Sequence, residues 1–215
     1  MALLDDSTVA TAVSDIDFGT ASFGGGTITV SFPGGYQTGD ILSLSGSPTG
    51  VSSVSGGNGA ALVINLGPTA TEANVADILK AIRFNSTSDN PTNFGANMTR
   101  GYSIVIADGD NNGLAGGPTS LSSDTLTGTI TFSAVNDPPV AVNDANSINE
   151  DGATASGSVR TNDTDPDTPT ASLTITAIRL GGTEGSGTAG AVGSALAGTY
   201  GALTLNADGT YSYAI

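Results

Sequence analysis

Seventeen aspartates and three glutamates (Glu72, Glu150 and Glu184) are the side chains of this 215-residue chain best suited to holding a cation or moving a proton. Five cations oppose them, Lys80, Arg83, Arg100, Arg160 and Arg179, so the formal charge is −15, and Cys, His and Trp do not occur. Zinc sites, thiol redox chemistry and a Ser-His-Asp relay therefore lose their ligands and base. Nucleic acid meets no basic face to neutralise its phosphates. Short carboxylates placed in turns suit oxygen cages for hard cations, since Ca²⁺ takes about six to eight oxygen ligands. Glycoside hydrolysis would need a dry cleft around two acids, which turn aspartates do not build, so the chain is read as not an enzyme.

The elements that must carry these acids are mostly strands. Hydrophobic residues make up 38% and charged residues only 12%, with 31 Gly, so the polarity comes from Ser, Thr and Asn rather than from the dense charge of a disordered chain. Apolar residues alternate at Ile28, Val30 and Phe32, at Leu62, Ile64 and Leu66, at Tyr102, Ile104 and Ile106, and at Leu126, Ile130 and Phe132. Later, Leu173 and Ile175 are expected in one strand. Leu203 and Leu205 are expected to pair with Tyr211 and Tyr213 across the turn sequence Asn206-Ala207-Asp208-Gly209. Residues 70–83 break the pattern: Val75, Ile78, Leu79 and Ile82 follow helical spacing, with Thr69 and Glu72 placed as a capping box. The fold class is all-β: two tandem Ig-like β-sandwiches, the first with one short helix. At Val135-Asn136-Asp137-Pro138-Pro139-Val140 two prolines forbid helix and remove ladder donors. Residues 1–135 then form one domain, 136–140 a linker, and 140–215 a second domain whose five or so strands are too few for a closed sandwich of about seven. No stretch approaches the roughly 20 apolar residues that span a bilayer, and residues 1–20 lack the pattern of a signal peptide, so an export signal is expected elsewhere.

The second segment resembles the bacterial VCBS repeat, a cadherin-like module of giant surface proteins. The resemblance is carried by Val142-Asn143-Asp144, Asn149-Glu150-Asp151-Gly152, Gly157-Ser158-Val159, Asn162-Asp163-Thr164-Asp165-Pro166-Asp167 and the run from Gly198 to Tyr211. The first segment is similar to a related cadherin-like domain of RTX-type adhesins through residues 76–89, 104–110 and the exit at 135–140. The resemblance implies tandem sandwiches in a calcium-dependent, secreted or surface-anchored bacterial adhesin. It also implies that the second domain lacks its last strands.

In a sandwich of cadherin order, loops alternate between the two poles, and this places the candidate ligands. Asp89, Asn136, Asp137, Asp163, Asp165 and Asp167 are expected to converge on the linker, where carboxylates would repel without Ca²⁺. Asp108, Asp110 and Asn112 match the first half of an EF-hand loop, with Gly113 at position six, but Thr119 stands where the bidentate Glu is needed. They form, with Asp15 and Asp17, a second candidate set at the N-terminal pole of domain one. Glu150 and Asp151 form a third at the distal pole of domain two. The expected role is a structural extender whose calcium stiffens the junction, with neighbouring domains of the same polypeptide as partners. The alternatives are a module recognising a glycan or another surface, or an accessory domain of a secreted enzyme. Exposed aromatic platforms would favour the recognition module.

Overall fold

The computed structural model describes residue 3 and residues 23–109, 122–152, 154–183 and 185–215. The chain divides into two compact units, Met1–Ala134 and Val135–Ile215. The regular structure of both is mostly strand, with one α-helix among the described residues, as the all-β reading requires.

In the first unit the strands are β1 (Thr27–Ser31), β2 (Asp40–Leu44), β3 (Val51–Gly56) and β4 (Leu62–Leu66) before helix α1 (Glu72–Ala81), then β5 (Ile82–Ser86), β6 (Thr99–Ala107) and β7 (Leu126–Thr131). Five of them form an antiparallel sheet in the order β3-β4-β1-β6-β7, and β2 pairs with β5 in a second, two-stranded sheet. Period-two alternation fixes which side is buried. Ile28, Val30, Leu62, Ile64, Tyr102, Ile104 and Ile130 join one core with Leu42, Ile82 and Phe84 of the small sheet and Val75, Ile78 and Leu79 of the helix. The opposite side carries Thr29, Ser55, Thr127, Thr129 and Thr131. Among the described residues, the only charged one in the five-stranded sheet is Arg100, and it is buried.

The helix is shorter than its spacing suggests and is capped differently. Its N-cap is Thr71, not Thr69, and the capping box closes on Asn74 rather than Glu72. Thr69 is taken up in a turn in which the Ala70 N–H donates to the Gly67 carbonyl at 3.1 Å. At the other end Ile82 adopts extended backbone and pairs with Leu44, so it is buried as a strand residue, not a helical one. Thr71 Oγ1 accepts the Asn74 N–H at 3.3 Å, and Asn74 Oδ1 accepts the Thr71 N–H at 3.1 Å. Thr71→Ala is expected to lower stability by about 1 kcal/mol, read as a shift of the urea midpoint at unchanged slope. A change within error would show that the first turn is held by its packing alone.

The second unit contains β8 (Thr154–Ser158), a 3₁₀ turn at Thr170–Ser172, β9 (Ile178–Arg179), β10 (Ala189–Gly190), β11 (Ala195–Ala197), β12 (Ala202–Leu205) and β13 (Thr210–Ala214). Its main sheet runs β11-β12-β13-β8, and β9 pairs with β10. The expected hairpin forms in register, with Leu203 opposite Tyr213 and Leu205 opposite Tyr211. Gly209 closes its turn at φ +81°, a region a side chain disfavours. The Thr210 hydroxyl and N–H both donate to Asp208 and hold its exposed carboxyl below the ordinary value. The expected strand at Leu173 and Ile175 is absent. The Leu173 carbonyl accepts from the Arg160 guanidinium and the Ile175 N–H donates to the Ala207 carbonyl, so the segment's polar groups are spent outside any ladder. Among the described residues only Ile178 and Leu205 are buried large apolar side chains in this unit.

Candidate metal centre

The connector that opens the second unit has few donors of its own, because Pro138 and Pro139 have no N–H. Three amides of this stretch, those of Asp137, Val140 and Val142, turn to one loop. The Asp137 N–H donates to Asp167 Oδ2 at 2.6 Å, and the Val142 N–H donates to Asp163 Oδ1 at 2.8 Å. Between them Val140 and Thr164 exchange backbone hydrogen bonds of 2.8 and 3.1 Å. Asn162 Nδ2 reaches the Asn143 carbonyl at 3.4 Å. The loop itself is folded by Asp165, whose Oδ1 accepts the N–H groups of Asp167 at 2.8 Å and Thr168 at 2.7 Å. An ionised acceptor strengthens such bonds, and Asp provides the short reach an Asx turn needs.

Asp137, Asp163, Asp165 and Asp167 are thus gathered along one edge of the second unit. Asn136 lies beside them, exposed, its side-chain amide donating to the Asp137 carbonyl at 3.0 Å. Each of Asp163, Asp165 and Asp167 commits one carboxylate oxygen to a backbone amide. Their second oxygens are the chemically apt donors for a hard cation, and the all-oxygen set suits Ca²⁺ better than a soft metal. No three acidic side chains converge on one point among the described residues, so the loop is an array of donors rather than a closed cage.

Asp89 is exposed in the first unit, after β5, and Asp108 follows β6. Glu150 and Asp151 are exposed at a turn in which the Gly152 N–H donates to the Asn149 carbonyl at 2.7 Å. Asp15, Asp17, Asp110 and Asn112 lie outside the described residues.

A second polar cluster, buried in the first unit, escapes a reading that looks only for metal ligands. Arg100 Nε donates to Asp40 Oδ2 at 2.8 Å, with the two side chains 4% and 0% exposed. The same guanidinium reaches the carbonyls of Asn97 at 3.0 Å and Pro91 at 2.5 Å, and lies 4.8 Å from the centre of the Phe132 ring. Phe132 continues through Phe84 and Phe32 to Tyr36 in edge-on contacts of 5.0–5.7 Å. Burial pushes the Tyr36 hydroxyl above its usual pKa. The available signal was register: alternation puts Arg100 on the face of Tyr102 and Ile104, and a buried guanidinium demands a partner.

No helix among the described residues is long and apolar enough to cross a membrane. No curated protein and no solved structure matches the chain. Residues 136–215, the connector and the unit it opens, match the family model of the bacterial cadherin-like domain.

Proposed function

We propose that the chain is a non-enzymatic structural segment of a large extracellular, surface-anchored adhesin, and that its second unit is a calcium-binding module of the VCBS type. The match of residues 136–215 to the bacterial cadherin-like domain supports an extracellular, adhesin-type module. The observation that carries the finer reading is the grip of the Asp163–Asp167 loop on its own connector through Asp137 and Val142. A module that bonds its leading segment to its own body transmits load along the chain instead of letting the segment swing. Asp137, Asp163, Asp165 and Asp167 would hold the ion. Because these carboxylates form an open array, calcium would have to draw them together, its positive charge offsetting their repulsion in a chain of charge −15.

Extracellular sites bind calcium at about 10⁻⁴ to 10⁻³ M. With about 10 mM calcium and a dissociation constant of about 1 mM, binding only to the folded form stabilises it by about 1.4 kcal/mol. For a unit of this size that is a rise of about 5–10 °C in melting temperature. Calorimetry at low ionic strength, with calcium and with chelator, reads it directly. Magnesium at equal concentration controls for charge screening. Superimposable curves with calcium and chelator would remove calcium from the reading and leave the connector to its hydrogen bonds.

A further inference from the structure

The loop between β5 and β6 is built more rigidly than a connection requires. Asn90 Oδ1 accepts the Phe94 N–H at 2.8 Å, Thr92 Oγ1 accepts the Gly95 N–H at 3.1 Å, and the Thr92 carbonyl accepts the Asn97 N–H at 2.7 Å. Beneath these turns Arg100, fixed by Asp40, holds the carbonyls of Pro91 and Asn97. On this base Asn93 and Phe94 both take left-handed backbone, at φ +49° and +56°. Asn tolerates that region, but a bulky residue there stores strain. Burial does not repay it, since Phe94 is 47% exposed. A glycine would relieve the strain, and the ring it would remove belongs to neither the core cluster nor the side chains packed against it.

We infer that Phe94 is the stacking platform of a saccharide-binding site for neutral glycans, with the exposed amide of Asn93 beside it as a hydrogen-bonding group. Three features select this class of ligand. Residues 90–99 carry no charge and the chain carries −15, so anionic glycans, nucleic acids and anionic lipid surfaces are repelled while a neutral sugar is not. Among residues 90–99 the large exposed apolar side chains are Phe94 and Met98, the latter 41% exposed, and two side chains do not make the several hundred Å² that marks a protein-docking patch. An aromatic face beside the exposed Asn93 amide answers the two halves of a sugar, its apolar CH face and its hydroxyls. A site this small binds weakly and works by repetition along a polymer. The inference concerns the first unit, to which the family match does not extend, and it stands whether or not the second unit binds calcium.

Affinity electrophoresis of the full chain in native gels containing dextran, hydroxyethylcellulose or galactomannan, each run with calcium and with chelator, tests it. The parent is expected to be retarded by at least one polymer equally in both buffers. Phe94→Ala and Phe94→Gly should abolish the retardation and Phe94→Tyr should retain it. Phe94→Gly should also melt at the same or a higher temperature than the parent, because a strained contact residue gives up stability for its function. Migration unaffected by all three polymers, or retardation that persists in Phe94→Gly, overturns the site. A lower melting temperature for Phe94→Gly makes the ring a structural residue and also overturns it. Self-association in sedimentation that depends on Phe94 would assign the ring to a second copy of the chain instead.

Discussion

Arg100→Ala is expected to destabilise the first unit by about 3–5 kcal/mol, the range for breaking one side of a buried ion pair. The register places Arg100 opposite Ile130, on the core face of β6. Removing it leaves the Asp40 carboxylate buried; among the described residues one of its oxygens already lacks a hydrogen-bond partner and the other keeps only the Gln37 N–H at 2.9 Å. The carbonyls of Pro91 and Asn97 lose their donor as well. A domain stable by about 5–15 kcal/mol gives up a large share of its margin in this way. Lysine should not rescue the loss, because one ammonium cannot serve Asp40 and two carbonyls and still stack on Phe132. Urea unfolding of Arg100→Ala, Asp40→Ala and the double variant would measure the coupling, and the double variant should be destabilised by less than the sum of the singles. A loss below about 1 kcal/mol for Arg100→Ala would mean that water reaches Asp40 and that the pair is a surface one.

The parts of this chain that were legible in advance are those where one local rule acts alone. Ile28 and Val30, Leu62 and Ile64, and the Leu203–Tyr213 hairpin are buried or paired as period two predicts, because each strand needs only to know which face is wet. Helix α1 was recognisable from Val75, Ile78 and Leu79. Its cap was displaced because Thr69 and Thr71 both offer a hydroxyl, and the turn after Pro68 decides between them. Leu173 and Ile175 alternate like a strand yet form none, since Arg160 and the hairpin turn claim their backbone groups from a distance in sequence. The acids show the same limit. Composition points to oxygen chemistry, but that Asp163 and Asp167 would bind backbone amides of the connector depends on the placement of two segments about 20–30 residues apart. Phe94 gave no signal at all, because a left-handed backbone at a non-glycine residue is a product of the whole loop.

Replacing Asp163 and Asp167 together by Ala should free the connector. Each carboxylate serves one connector amide, Val142 and Asp137, and a hydrogen bond to a charged acceptor contributes about 1.5–3 kcal/mol where water is excluded. Here both bonds lie at the surface, so about 1 kcal/mol each is the expectation, and about 2 kcal/mol for the pair. Amide exchange at Asp137 and Val142 should then quicken by about tenfold or less per lost bond, since tenfold corresponds to about 1.4 kcal/mol. Val140 is the internal control. Its N–H is held by the Thr164 carbonyl, not by a carboxylate, so its exchange should change less than that of its neighbours if the double variant keeps the loop fold, which Asp165 organises. Asn at both positions separates geometry from charge: a neutral amide oxygen can still accept the two N–H bonds but is a poorer partner for a divalent ion. Asp163→Asn/Asp167→Asn should therefore keep much of the amide protection and lose the calcium-dependent rise in melting temperature. If the Asn pair keeps the full calcium shift, the ion is held elsewhere and these aspartates serve the connector alone.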